Sequence, residues 1–149
     1  MRDDSPHCYA LRLAQPSDVD WLVMLREQTM AQHFEASGER LSHEEHRRRV
    51  LDNFASIRII IVQNSAIGMF KVVRKPDHWR IMQLQLRADF QRRGIGTKVV
   101  KDLLAEAKQQ QVPVTLSVLK ANPARRLYAR LGMQVTAETA DSCAMRCDP

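Results

Sequence analysis

Residues Leu84 to Thr97 read LQLRADFQRRGIGT and carry a strand pattern through a short polar loop into a glycine-bearing helix start. Trp79 to Arg87 alternates, with Met82, Leu84 and Leu86 set against Gln83, Gln85 and Arg87, a period of two that buries one face. After Gly94-Ile95-Gly96, the apolar positions Val99, Val100, Leu103, Leu104 and Ala107 take up helical spacing, and Pro113 prevents the helix from continuing. Glycine at such a junction lets backbone approach a ligand closely, while the first-turn N–H groups have no helical partner. The helix dipole adds partial positive charge there, and Arg92 and Arg93 add full charges. The junction therefore suits an anion, above all a pyrophosphate. The P-loop spacing is absent, and a dinucleotide fingerprint would need a third glycine where this chain has Val99.

The remaining order is read from periodicity and turn chemistry. Tyr9 to Leu13 forms a first strand, and Ser17 caps a helix that carries Trp21, Leu22, Leu25 and Met30. Ser42 to Glu45 has capping-box spacing, and its helix ends near Phe54. Ile57 to Val62 and Ile67 to Val73 are strands around a turn at Gln63-Asn64-Ser65, and Trp79 to Arg87 completes a meander. Val114 to Leu119 is a strand, and a helix from about Pro123 to Leu131 is closed by Gly132 at C′. Met133 to Val135 and Ser142 to Arg146 form a final pair. The expectation is one α+β domain over residues 1–149 with a mixed sheet.

Two stretches carry a resemblance. Gln91-Arg92-Arg93-Gly94-Ile95-Gly96 is similar, at every defined position, to the pyrophosphate motif Q/R-x-x-G-x-G/A of the GNAT superfamily of acyl-CoA-dependent N-acetyltransferases. Asn122 to Met133, NPARRLYARLGM, resembles that family's second CoA-binding segment, N-x-x-A-x-x-L-Y-x-x-x-G-F, with Asn122 one residue closer to Tyr128 and Met133 in place of phenylalanine. The element order agrees as well, so the resemblance covers nearly the whole chain. It implies a GNAT-like, mostly antiparallel central sheet of about seven strands flanked by about four helices.

The resemblance also implies site residues. Backbone amides of Arg92, Arg93, Gly94, Ile95, Gly96 and Thr97, following Gln91, would cradle the pyrophosphate of acetyl-CoA, the cosubstrate. Backbone groups near Gln85, Leu86 and Arg87 would bond the pantetheine arm, admitted where that strand and Val114 to Leu119 splay apart in this family. Asn122 would contact the pantetheine region, and Arg125 or Arg126 either reaches the phosphates or is solvated surface. Tyr128 would be the general acid that protonates the departing CoA thiolate, the other reading being a core tyrosine. Some family members place a glutamate base eleven residues before the motif glutamine; here Arg80 stands there, and no carboxylate lies between Trp79 and Arg87. Glu27, His33 and Glu35 are the candidates to take the amine's proton, as is a water chain. His43-Glu44-Glu45-His46 lacks the spacing of a metal-binding H-E-x-x-H helix, and no metal is expected.

Composition bounds the rivals. The net charge of +6 and a pI near 9.7 favour an anionic partner. Aromatic residues make up only 5%, no reading motif is present, and the basic clusters coincide with the expected phosphate sites, which argues against a nucleic-acid-binding module. A third reading is a GNAT-like fold that binds CoA without catalysis. No apolar run is long enough to span a bilayer, and Cys8, Cys143 and Cys147 lack zinc-site spacing, so the expected setting is cytoplasmic, without membrane contact. The acceptor is expected to be a small-molecule amine, with a protein or peptide amine as the alternative. Dimerisation is common in the family, so a homodimer is admitted.

Overall fold

The computed structural model describes residues 8–37 and 41–149, with the side chains of 32–37 outside the description. Its elements are β1 (Ala10–Leu13), α1 (Val19–Ser37), α2 (His43–Leu51), β2 (Ile57–Val62), β3 (Ser65–Arg74), β4 (Trp79–Leu86), α3 (Ile95–Gln109), β5 (Val114–Leu119), α4 (Ala124–Arg130), β6 (Gln134–Glu138) and β7 (Ser142–Cys147). The seven strands form one mixed, mostly antiparallel sheet in the order β1-β2-β3-β4-β5-β7-β6. By internal contacts the chain divides into two units, Met1–Lys71 with Gln83–Ile95, and Val72–Met82 with Gly96–Pro149.

In the first unit the core gathers Val19, Leu22, Val23 and Leu25 of α1, Val50 of α2, and Ile57, Ile59 and Met69 of the strands. Fully buried side chains of this size contribute roughly 1.5–3 kcal/mol each. The helix start departs from the sequence expectation. Ser17 does not cap; Pro16–Asp18 is a 3₁₀ turn, and the Asp18 carboxylate accepts from the Gln15 N–H at 2.8 Å while Arg12 grips it at 2.9 and 3.0 Å. A carboxylate with a guanidinium fork wins over a lone hydroxyl. At α2, Ser42 does cap, accepting from Glu45 N–H at 3.1 Å, but the Glu45 side chain turns to Arg48 and Arg49 instead of reaching back. α2 also ends at Leu51, with Phe54–Ser56 a separate 3₁₀ turn. Gln63 and Asn64, with φ of 51° and 66°, give the β2–β3 hairpin the left-handed turn that matches strand twist.

The covered face of β4 is the unexpected one. Gln83 and Gln85 are 8% and 6% exposed, while Met82 is 37% exposed. Alternation in the sequence shows that two faces differ, not which one a helix covers. Gln83 is accommodated because its Nε2 donates to the Arg49 carbonyl at 3.1 Å. Opposite β4 on β3, a Cβ built on Gly68 would lie 2.5 Å from the Gln85 carbonyl oxygen and 2.7 Å from Leu86 Cδ2. Backbone cannot yield as a flexible side chain can, so Gly68→Ala is expected to cost about 1–3 kcal/mol. An unchanged urea midpoint would show that the two strands separate freely there.

In the second unit, β5 pairs antiparallel with β7, and β7 with β6. β4 pairs parallel with β5 over Trp79–Val114, Arg80–Thr115 and Ile81–Leu116, a connection for which α3 supplies the crossover. The buried residues here include Val99, Val100, Leu103 and Ala107 of α3, Leu116 and Val118 of β5, and Met145 of β7. Trp79 is 7% exposed, its N–H donates to the Pro113 carbonyl at 2.9 Å, and Arg74 stacks on its ring at 4.3 Å while pairing with Glu106 at 2.5 Å. Met133 is buried, as a replacement for a core phenylalanine should be.

Candidate active site

The end of β4, the loop after it and the start of α3 make one continuous segment with unusual backbone. Ala88–Phe90 is a 3₁₀ turn, Arg92 has φ 62° and Gly94 has φ 82°. Arg92 is thus a non-glycine residue held in the left-handed region, a strain of order 1 kcal/mol that surrounding structure must impose. Left-handed residues in a turn help aim backbone N–H groups to one side, as anion-binding nests do. α3 begins at once, at Ile95, which is 1% exposed and anchors the helix start in the interior. Gly96 and Thr97 complete its first turn, where backbone N–H groups have no helical acceptor.

The side chains around this segment hold the loop and leave its charge available. Gln91 Nε2 donates to the Leu86 carbonyl at 2.9 Å, closing the loop against the strand end. The Arg87 N–H donates to the Ile67 carbonyl at 2.7 Å, and its guanidinium bonds Asp89 at 2.7 Å. The Arg93 guanidinium lies 5.1 Å from the Phe90 ring centroid. Arg92, Arg93 and Arg125 make no ion pair among the described residues, and all three are exposed. The segment fits an anionic group: it is cationic, it contains glycine, and among the described residues no acid pairs with Arg92 or Arg93.

In the second unit, Asn122 shapes the start of α4. Its Oδ1 accepts from the Ala124 N–H at 2.9 Å, and its own N–H donates to the Leu119 carbonyl at 2.9 Å. Gly132, with φ 101°, ends α4, and its N–H donates to the Ala129 carbonyl at 3.1 Å. Between them Tyr128 is 6% exposed, and its hydroxyl has no hydrogen-bond partner among the described residues. Burial pushes its pKa up to about 12, so the phenol keeps its proton at neutral pH.

Of the candidates for a base, Glu27 is hydrogen-bonded to His43 Nδ1, and the side chains of His33 and Glu35 lie outside the described residues. Arg80, where a carboxylate would stand in some relatives, donates to Ser117 Oγ at 3.3 Å. Sequence reasoning did not foresee the burial of the polar side chains of Arg26, His46, Lys71, Gln83 and Gln85. One signal was there: Lys71 interrupts the apolar run from Met69 to Val73.

The profile of the Acetyltransferase (GNAT) family matches residues 22–133, and the chain belongs to that family of acetyltransferases. Solved structures share its fold. PaiA N-acetyltransferase from Thermoplasma acidophilum, solved with coenzyme A, superposes with a TM-score of 0.77 at 12% identity, over 95% of this chain and 99% of that one. An acetyltransferase from Thermus thermophilus gives 0.74 at 15% identity, covering 95% and 97%. The ribosomal-protein-S18-alanine N-acetyltransferase of Escherichia coli gives 0.71 at 15% identity, covering 95% and 94%. A search of curated proteins found no match. Among the described residues, no helix is long and apolar enough to cross a membrane.

Proposed function

We propose that this chain is an N-acetyltransferase that transfers the acetyl group of acetyl-CoA directly to a primary amine of a small molecule. The observation that carries the reading is the segment from Gln91 to Thr97, where two left-handed residues lead into α3 beside arginines that no acid engages among the described residues. The profile match runs from 22 to 133, through stretches of both units, which supports reading 1–149 as a single catalytic domain. Three cysteines are free, and a reducing cytoplasm suits them.

Acetyl-CoA, when bound, supplies an acetyl group already activated as a thioester, so the protein's task is chiefly alignment. The N–H groups of Arg92 to Thr97 hold the pyrophosphate, with Arg93 and Arg125 adding charge. Gln85, Leu86 and Arg87 present backbone to the pantetheine arm. The Arg87 N–H is committed to the Ile67 carbonyl and the Arg87 carbonyl already accepts from the Phe90 N–H, so the second lone pair of that oxygen is what it has to offer. Asn122 has spent its side-chain oxygen on α4 and retains its amide N–H groups. Tyr128 Oη holds the proton for the departing thiolate. With its pKa near 12, this phenol stays protonated across the range in which an amine is assayed, so any alkaline fall in kcat below about pH 10 arises elsewhere.

Calorimetric titration with acetyl-CoA tests the reading: micromolar binding is expected. Silence at millimolar concentration would remove it and bring a salt-dependent nucleic-acid interaction forward. Tyr128→Phe is expected to lower kcat about 100-fold while leaving the acetyl-CoA Kd within a few-fold. A kcat equal to wild type would return Tyr128 to a packing role.

A further inference from the structure

The first unit contains a cluster of buried polar side chains to which holding acetyl-CoA assigns no role, Gln85 serving there through its backbone alone. Arg26 on α1 is 4% exposed, and Gln83 and Gln85 on β4 are nearly as enclosed. Arg26 Nε, Gln83 Oε1 and Gln85 Oε1 are shut off from solvent and have no hydrogen-bond partner among the described residues. Buried polar atoms are nearly always paired, so three orphans on facing elements call for an explanation.

The three belong together. Gln83 and Gln85 share one face of β4, and Gln83 Nε2 donates to the Arg49 carbonyl, which fixes its other end as oxygen. Gln85 Nε2 rests against Met30 Sδ at 3.8 Å, one helical turn along α1 from Arg26. Thioether sulfur is a weak acceptor, so this contact yields easily.

Charge in the cluster is one-sided. Arg49 and Lys71 both lie close enough to Arg26 to act on its charge, and burial pulls the Arg26 guanidinium down to about 10. The carboxylate that acts on Arg26 is Glu45, and Glu45 is engaged by Arg48 at 2.5 Å and Arg49 at 3.2 Å. Lys71 spends its donors on the carbonyls of Arg49, Val50 and Asp52. Among the described residues, what remains is a cationic Arg26 Nε–H with no hydrogen-bonded acceptor and two amide oxygens with no donor. A ligand with a carboxylate and an amine complements that set. A polyamine would add cations to a cationic cluster and leave Arg26 unanswered.

We infer that the acceptor is a zwitterionic amine of the amino-acid type, its carboxylate received by Arg26 Nε and its N–H groups by the amide oxygens of Gln83 and Gln85. Met30 is the side chain it displaces on entry. The inference rests on the reading of the enzyme as an amine acetyltransferase.

The test uses the wild-type chain. The arginine Nε–H signals are assigned by nitrogen-15 NMR and followed during titration with protein amino acids, and with phenethylamine and cadaverine, the decarboxylated forms of phenylalanine and lysine. The Arg26 signal is expected to move with at least one amino acid and with neither decarboxylated amine, whether or not acetyl-CoA is present. For an amino acid that is a substrate, kcat/KM relative to its decarboxylated form is expected to fall about 100-fold in Arg26→Met. An Arg26 signal unmoved by every amino acid would overturn the inference, as would equal turnover of both members of a pair. A shifted Arg26 signal in a protein that does not bind acetyl-CoA would keep the recognition site and remove the transferase reading.

Discussion

Gly94→Asp will bind acetyl-CoA about 100-fold more weakly than wild type, while Gly94→Asn, of the same size, will lose far less. Gly94 adopts φ 82°, a conformation that asparagine and aspartate tolerate better than other side chains. Both variants therefore strain the backbone comparably, and the difference between them isolates charge. A carboxylate placed several Å from a bound pyrophosphate in a partly screened site costs on the order of 1–3 kcal/mol, and 2.7 kcal/mol is about a factor of 100. Calorimetric Kd values for the three proteins decide the matter. Equal affinities in the aspartate and asparagine variants would mean that no anion lies against this turn, and the left-handed residues Arg92 and Gly94 would need another purpose.

The second large effect concerns stability. Lys71 is completely buried in β3, and its Nζ donates to the Arg49 carbonyl at 2.7 Å, the Val50 carbonyl at 3.2 Å and the Asp52 carbonyl. These carbonyls lie at the C-terminal end of α2, where helical acceptors lack partners and a positive charge is favoured. Burial lowers the Lys71 pKa to about 8, so at pH 7 the ammonium is still the major form. Lys71→Met fills similar volume but strands the helix end without donors, and should destabilise the fold by about 3–5 kcal/mol. Urea unfolding should show a lower midpoint with an unchanged slope. A loss under 1 kcal/mol would mean that the carbonyls find other donors as readily.

How far the sequence could be read depended on what each residue needed from the rest of the chain. The segment from Gln91 to Gly96 and the stop at Gly132 were legible because backbone geometry demands glycine locally, and the structure gives Gly94 and Gly132 positive φ. The start of Val114–Leu119 was legible because Pro113 ends what precedes it. The start of α1 was misread, since a serine after proline looks like a cap until Arg12, six residues before Asp18, is seen to hold that carboxylate in place. The buried face of β4 lay beyond sequence reasoning altogether. Gln83 is stable inside only because the Arg49 carbonyl, 34 residues away, is there to receive its amide. The roles of Tyr128 and Asn122 rest on resemblance; their burial and hydrogen bonding are what the fold adds.

The bond from Gln91 Nε2 to the Leu86 carbonyl bears on how this position can vary. Family sequences accept glutamine or arginine there, a pair that looks mismatched in size and charge. Seen from the carbonyl they are equivalent, because each ends in a planar nitrogen with hydrogens to give. Glutamate, almost the same shape as glutamine, has none at neutral pH and would turn an acceptor toward an acceptor. What the fold asks of this position is thus the direction of a hydrogen bond, and substitution scores that rank glutamate as glutamine's near neighbour would misjudge it.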